Sequence, residues 1–266
     1  MVDESASEAE YRKLIEAYCT LLNKGLQERW DKMRKDLYAN EQQEVISALI
    51  ARQVTLATCL ARGPNICNWH LGPLVLRTMI DAYITLAWIL EDPEKRSRLF
   101  ILYGLGQEKL QIEHLKASKS EDDPRIEQLI NAREDWVNSQ RYTFMTDVDI
   151  GAWSGISARE MAEQVGELNL YNFAYTPFSA CGHNMWNHVG RFNLETCTNP
   201  LHKYHRIPTN PDFGSDFDVV MNSAKYLEKT FRKVDEKLGL TCSTVLPLDY
   251  WRAYFERTHA DNKDAS

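Results

Sequence analysis

Residues 71–90, LGPLVLRTMIDAYITLAWIL, limit the choice of fold more than any other stretch of the chain. They are long enough to cross a bilayer, yet Arg77 and Asp81 sit inside the run. Each charge near the centre of a lone span costs roughly 2.5–3.5 kcal/mol, and the strongly polar remainder offers no second span to shelter them. The segment therefore reads as the buried central helix of a bundle, and no membrane partner is expected.

The same 3.6-residue periodicity continues through about 8–37, 41–61, 93–118, 123–142, 157–166, 168–190, 215–238 and 247–258. No run of alternating β-branched residues appears, so the expected class is all-α: a single-domain, multi-helix bundle over 1–266 with an ordered core at 8–258. A chain of 266 residues that is 44% hydrophobic can bury a core of that size. Local signals fix several boundaries. Asp92-Pro93 closes one helix and opens the next, Asp123-Pro124 opens another, and Ser157-Ala158-Arg159-Glu160 has the form of a capping box. Residues 143–156 read as a connecting loop and 259–266 as a frayed tail. Residues 191–214 contain three prolines and are long for a plain connection, which favours a functional loop.

The N-terminal stretch MVDESASEAEYRKL is acidic and lacks the pattern of a secretory signal, so a cytoplasmic location is expected. The six cysteines form no CxxC pair and read as free thiols in a reducing compartment. A net charge of −7 excludes a surface that grips nucleic acid everywhere, and confines any such contact to a local basic patch.

On the wheel of the central helix, positions 70, 77, 81 and 88 share one face, and Arg77 and Asp81 stand at i,i+4, where they can pair directly. A structural ion pair explains this arrangement, and so does an anionic ligand that must reach the arginine. In the later stretch PFSACGHNMWNHVGRF, Tyr171, Tyr175, Ser179 and His183 step by four down one side, and Cys181 falls on the opposite face. That excludes a Cys-His nucleophile pair within the helix. Pro177 requires either a kink or a new helix start with Thr176 as cap. A new start would place Ser179 in a first turn, where free N–H groups favour an anion.

His183, His188, Cys197, His202 and His205 supply five possible metal ligands within 23 positions. The two helical histidines diverge by about 140°, and C-x4-H-x2-H matches no standard zinc spacing. No metal or other cofactor is expected; if a metal binds, Cys197, His202 and His205 are the plausible cluster. The competing reading of LHKYHRIP is a basic, aromatic-interleaved loop in which His202, Lys203, Tyr204, His205 and Arg206 hold phosphate and stack a base. A plainly solvated loop fits as well.

Taken as a set, LVLRTMIDAYITLAWIL, the Tyr-x3-Tyr-x3-Ser-x3-His array and CTNPLHKYHRIP resemble the bacterial helical family catalogued as domain of unknown function 5677, over about 70–210. The resemblance implies an α-helical bundle and a shared site at Arg77, Asp81, Tyr175, Ser179 and His183. Aspartate stands at position 81 where the family more usually has glutamate, which keeps the acid and shortens its reach. Such bundles also look similar to the HEPN class, many of whose members are metal-independent ribonucleases of toxin and phage-defence systems. That class carries R-x4-6-H on one helix, and the match here is Arg252-x6-His259, in the expected tail. HEPN-like catalysis would therefore draw its pair from different helices, Arg77 with His183.

Three functions follow as expectations. The first is a metal-independent ribonuclease or nucleotide-binding protein with Arg77, Asp81 and His183 as its catalytic group. Tyr175, Ser179, His202, Lys203, His205 and Arg206 would then bind substrate. The second is a non-catalytic sensor or scaffold in which the same residues form a satisfied polar network, within a homo-oligomer or with a partner protein of a defence system. The third is a zinc-dependent hydrolase.

Overall fold

A computed structural model describes residues 4–34, 41–118, 124–140 and 153–264. Its helices are α1 (Glu4–Lys32), α2 (Glu41–Arg62), α3 (Gly72–Ile89), α4 (Pro93–Ser118), α5 (Pro124–Asn138), α6 (Ala158–Gln164), α7 (Leu168–Leu170), α8 (Thr176–Gly182), α9 (Trp186–Phe192), α10 (Phe217–Leu238) and α11 (Pro247–Asp264). Strands β1 (Leu194–Thr196) and β2 (Arg206–Pro208) form one small antiparallel hairpin. The all-α expectation holds, with this hairpin as its one sheet among the described residues. The expected loop over 143–156 falls mostly outside them.

The central-helix reading of α3 is met. Leu76, Met79, Ile80, Tyr83, Ile84, Leu86, Ala87 and Ile89 are buried, and α3 packs against α2, α6, α8 and α10. The buried Gln53 of α2 donates to the Met79 carbonyl at 2.7 Å. Where α3 begins, a Cβ on Gly72 would stand 2.8 Å from the Val219 side chain of α10. Two helices approach that closely only across a residue with no side chain. Contrary to the expectation that the remainder holds no second span, α2 is long and apolar enough to cross a membrane, and half of its most apolar window is buried inside the bundle.

The predicted helix ends are largely where local chemistry put them. Pro93 and Pro124 open α4 and α5, and Ser157 and Glu160 close a full capping box at the start of α6. α10 starts at an Asp216 cap and stops at Gly239, whose φ of 64° is left-handed. The buried face of α10 includes Val219, Val220, Leu227, Phe231 and Val234. α11 inserts Trp251 among Tyr18, Phe217 and Tyr250. Beyond the main core, Ile112 of α4 and Ile130 and Val137 of α5 form a separate small cluster.

Three expectations need correction. The tail expected to fray from 259 continues as α11 to Asp264. The single helix expected over 168–190 is broken twice. A π turn at Tyr171–Tyr175 leads into α8, and Asn184, at a φ of 51°, separates α8 from α9. Pro177 explains the first break. It lacks an N–H, and its ring opposes the carbonyl four residues back, so widening the preceding turn lets the chain pass without ending. Finally, the long loop over 191–214 is organised by the hairpin, in which Thr196 pairs with Arg206 and Leu194 with Pro208.

Candidate functional site between helices α3 and α8

The π turn sets the direction of Tyr175, and the two turns that follow set those of Ser179 and His183. The Tyr171 and Tyr175 rings stack with centroids 4.8 Å apart. Tyr175 is buried, and its ring lies 4.8 Å from the Arg77 guanidinium. Arg77 donates through Nε to Ser179 Oγ at 2.9 Å and through Nη2 to the Tyr175 hydroxyl at 2.8 Å. The Tyr175 hydroxyl interacts in turn with the Asp81 carboxylate. Arg77 N–H, tyrosine O–H and carboxylate thus form a relay in which each donor has an acceptor. A guanidinium held by two of its donors and a ring face keeps a fixed orientation, which suits planar recognition of an oxyanion.

The electrostatics follow from the half-buried position. Burial raises the Asp81 carboxyl above its ordinary range, while the Arg77 charge and the Tyr175 hydroxyl pull it back only in part. Burial, followed by the Asp81 charge, raises the Tyr175 hydroxyl, so it stays protonated at neutral pH. A raised carboxyl in the folded state has a defined sign. Its unfavourable contribution is absent below the unfolded pKa of about 3.9, grows as pH rises through the folded value, and is constant above it. Asp81→Asn, which imitates the protonated form, is therefore expected to melt higher than the wild type at pH 7 and alongside it near pH 3. A lower melting temperature for the variant at pH 7 would show that the Arg77 attraction outweighs desolvation.

Other expected site residues are placed differently. His183 is exposed at the C-cap of α8, where its backbone N–H meets the Ser179 carbonyl at 3.0 Å. Ser179 accepts from Arg77 instead of standing at a fresh helix start, since the chain is already helical at Tyr175 and Thr176. Cys181 lies on the far side, as the wheel required, with its thiol on the His70 carbonyl. His70 precedes α3 and so leaves the Arg77 face; it packs with His188, Phe192 and Phe213. In that aromatic cluster burial lowers the His188 pKa, and the nearby His70 charge adds to the effect. At the other end of the stripe, Trp88 donates to Gln164 at 2.7 Å and lies under Arg96.

Of the loop residues, Arg206 donates to the Gly190 carbonyl at 3.0 Å and ties the hairpin to α9. Lys203 is exposed and Tyr204 is 96% exposed. His202 and His205 turn toward Cys197, with ring centroids 5.2 Å apart. Arg29, which no sequence motif singled out, is 1% exposed and bonded to Asp235 of α10. The signal was present: Tyr18, Leu22, Gly25, Arg29 and Met33 follow one helical stripe.

Fold and site together define a helical-bundle protein with an arginine-centred polar site between its central helix and a π-bulged neighbour. Residues 68–199 match the model of DUF5677, a family of unknown function, which the chain resembles over this segment. The matched segment contains Arg77, Asp81, Tyr175, Ser179 and His183 and ends at Asn199, inside the hairpin. No curated protein and no solved structure matches the chain.

Proposed function

We propose that the α3–α8 site binds the phosphate of a nucleotide or of RNA, in the cytoplasm, and that it serves metal-independent phosphodiester cleavage. The observation that carries the reading is the fixed fork of Arg77, held by Tyr175 and Ser179 and backed by Asp81. Ser179 Oγ accepts from Arg77 and so has its own proton to offer a phosphate oxygen. Arg77 stabilises the charge that develops on the phosphorane-like transition state, and Asp81 positions it through Tyr175. His183, one turn beyond Ser179, is the general base toward a ribose 2′-OH. Lys203 and Tyr204 extend the contact along the backbone and bases of the ligand. The HEPN-like character of such a helical site links this chemistry to toxin and phage-defence systems.

A second reading has its own support in the mutual satisfaction of Arg77, Tyr175 and Asp81. Groups that already pair with one another can form a sensor or scaffold network with no chemistry. One experiment separates the readings: cleavage of total bacterial RNA by wild type and His183→Ala in excess EDTA, with melting temperatures taken on the same samples. The ribonuclease reading expects cutting by the wild type, a loss of at least about 100-fold in the variant, and equal melting, because His183 is exposed. If the wild type does not cut but nucleotide still quenches its tryptophan fluorescence, the protein is a binding module. Absence of both results overturns the phosphate-binding reading.

A further inference from the structure

The hairpin beyond α9 brings together the side chains of Cys197, His202 and His205. Its ladder ends at the Thr196–Arg206 pair. The next residues, Cys197 and His205, remain joined, since the Cys197 N–H donates to the His205 carbonyl at 3.0 Å. Between them the chain turns tightly. The Asn199 side chain accepts from Leu201 N–H at 3.0 Å, and His202 N–H bonds the Asn199 carbonyl at 3.0 Å. This turn folds His202 back over Cys197, with Sγ and Nδ1 3.7 Å apart. One ligand atom from each of Cys197, His202 and His205 lies within 4.8 Å of the others.

The geometry points to a binding site for one zinc-class divalent ion at this tip, held by Cys197, His202 and His205 with the fourth position open. Zinc bonds of about 2.3 Å to sulfur and about 2.0–2.1 Å to nitrogen, set tetrahedrally, put S···N neighbours about 3.6 Å apart. The Cys197–His202 pair already has that spacing, and closing His205 onto it requires a movement of about one ångström. Ligand softness agrees, because one thiolate with two imidazoles selects zinc, cobalt or copper over magnesium and calcium. Supporting contacts are also in place. The Asn199 backbone N–H approaches Cys197 Sγ at 3.5 Å, and the Asn199 side chain lies 3.3 Å from His202 Nε2. The Asn199 amide oxygen is held by the Leu201 N–H, so Asn199 supports the site by fixing the turn that carries His202.

The tip is exposed, with Leu201 at 86% and Tyr204 at 96%, so the open position faces solvent and takes a water or a donor from outside. A purely nucleophilic Cys-His pair would leave His205 without a part, and the tip offers no helix N-terminus to hold an oxyanion. The proposal stands independently of the phosphate reading, since it uses neither Arg77 nor His183.

The test is a titration of the metal-free, reduced full-length chain with cobalt(II) chloride, read by absorbance. The expected result is a thiolate-to-cobalt charge-transfer band that saturates at one equivalent and is displaced by zinc chloride. Cys59→Ser, which removes an exposed thiol of α2, keeps the band; Cys197→Ser abolishes it. Asn199→Ala weakens cobalt binding by about 10–100-fold, and His202→Ala and His205→Ala weaken it further. Far-UV circular dichroism confirms that each variant keeps its helices. Absence of the band in the wild type, an unchanged band in Cys197→Ser, or cobalt affinity indifferent to both histidine variants would overturn the assignment.

Discussion

Replacing Arg29 by alanine is expected to cost about 3–5 kcal/mol of stability, the largest effect of any single substitution considered for this protein. Its guanidinium is 1% exposed, lies 3.8 Å over the Phe231 ring, donates to the Gly25 carbonyl at 2.9 Å and pairs with Asp235 at 2.5 Å. Alanine leaves a cavity between α1 and α10 and strips Asp235 of its cation while that carboxylate is only 21% exposed. Arg29→Met fills the volume and is expected to recover part of the loss, with the remainder measuring the abandoned charge. Urea unfolding at pH 7, with the double variant Arg29→Met/Asp235→Asn, closes the cycle. A loss below about 1 kcal/mol for Arg29→Ala would show that water reaches the pair and that it behaves as a surface ion pair.

Arg77→Ala is expected to behave in the opposite way, with little change in stability and a large change in ligand affinity. Arg77 and Ser179 are half-buried, so water can reach Ser179 once the guanidinium is gone, and the buried Tyr175 hydroxyl keeps the Asp81 carboxylate as its partner. Truncating a hydrogen-bonded charge that meets an anionic ligand typically costs about 2–5 kcal/mol of binding, on the order of 30-fold or more. Arg77→Lys should rescue poorly, since an ammonium cannot reproduce a fork that contacts Ser179, Tyr175 and a phosphate at once. The measurement is equilibrium binding of a fluorescent nucleotide alongside thermal melting. If Arg77→Ala keeps its affinity but melts far below the wild type, Arg77 is part of a structural network and the phosphate-binding proposal falls.

Much of this architecture was legible because the information was local. The 3.6-residue repeat marked the helices, and Pro93, Pro124 and the Ser157–Glu160 box marked their starts. The apolar run around Arg77 and Asp81 had to be central, since neither charge tolerates a lone membrane span. Spacing by four also put Tyr175 and Ser179 on one face, and both meet Arg77.

The tertiary structure decided what spacing leaves open. A direct Arg77–Asp81 contact was geometrically available at i,i+4, but the guanidinium turns to Tyr175, a residue 98 positions away, which then faces Asp81. Pro177 called for a kink or a new helix start, and the structure meets it with a π turn, because a proline in a packed helix can be met by widening as well as by stopping; the left-handed Asn184 had no such signal. Arg29 reached a partner 206 residues distant, and the Cys197, His202 and His205 cluster that the spacing offered as the only plausible one is brought together by backbone pairing at the hairpin tip. The sequence by itself determined the helical class, most of its boundaries and the face that carries Arg77. Partners across helices and across the hairpin depend on how two separate surfaces close on each other, and periodicity along one segment holds no record of the surface it will meet.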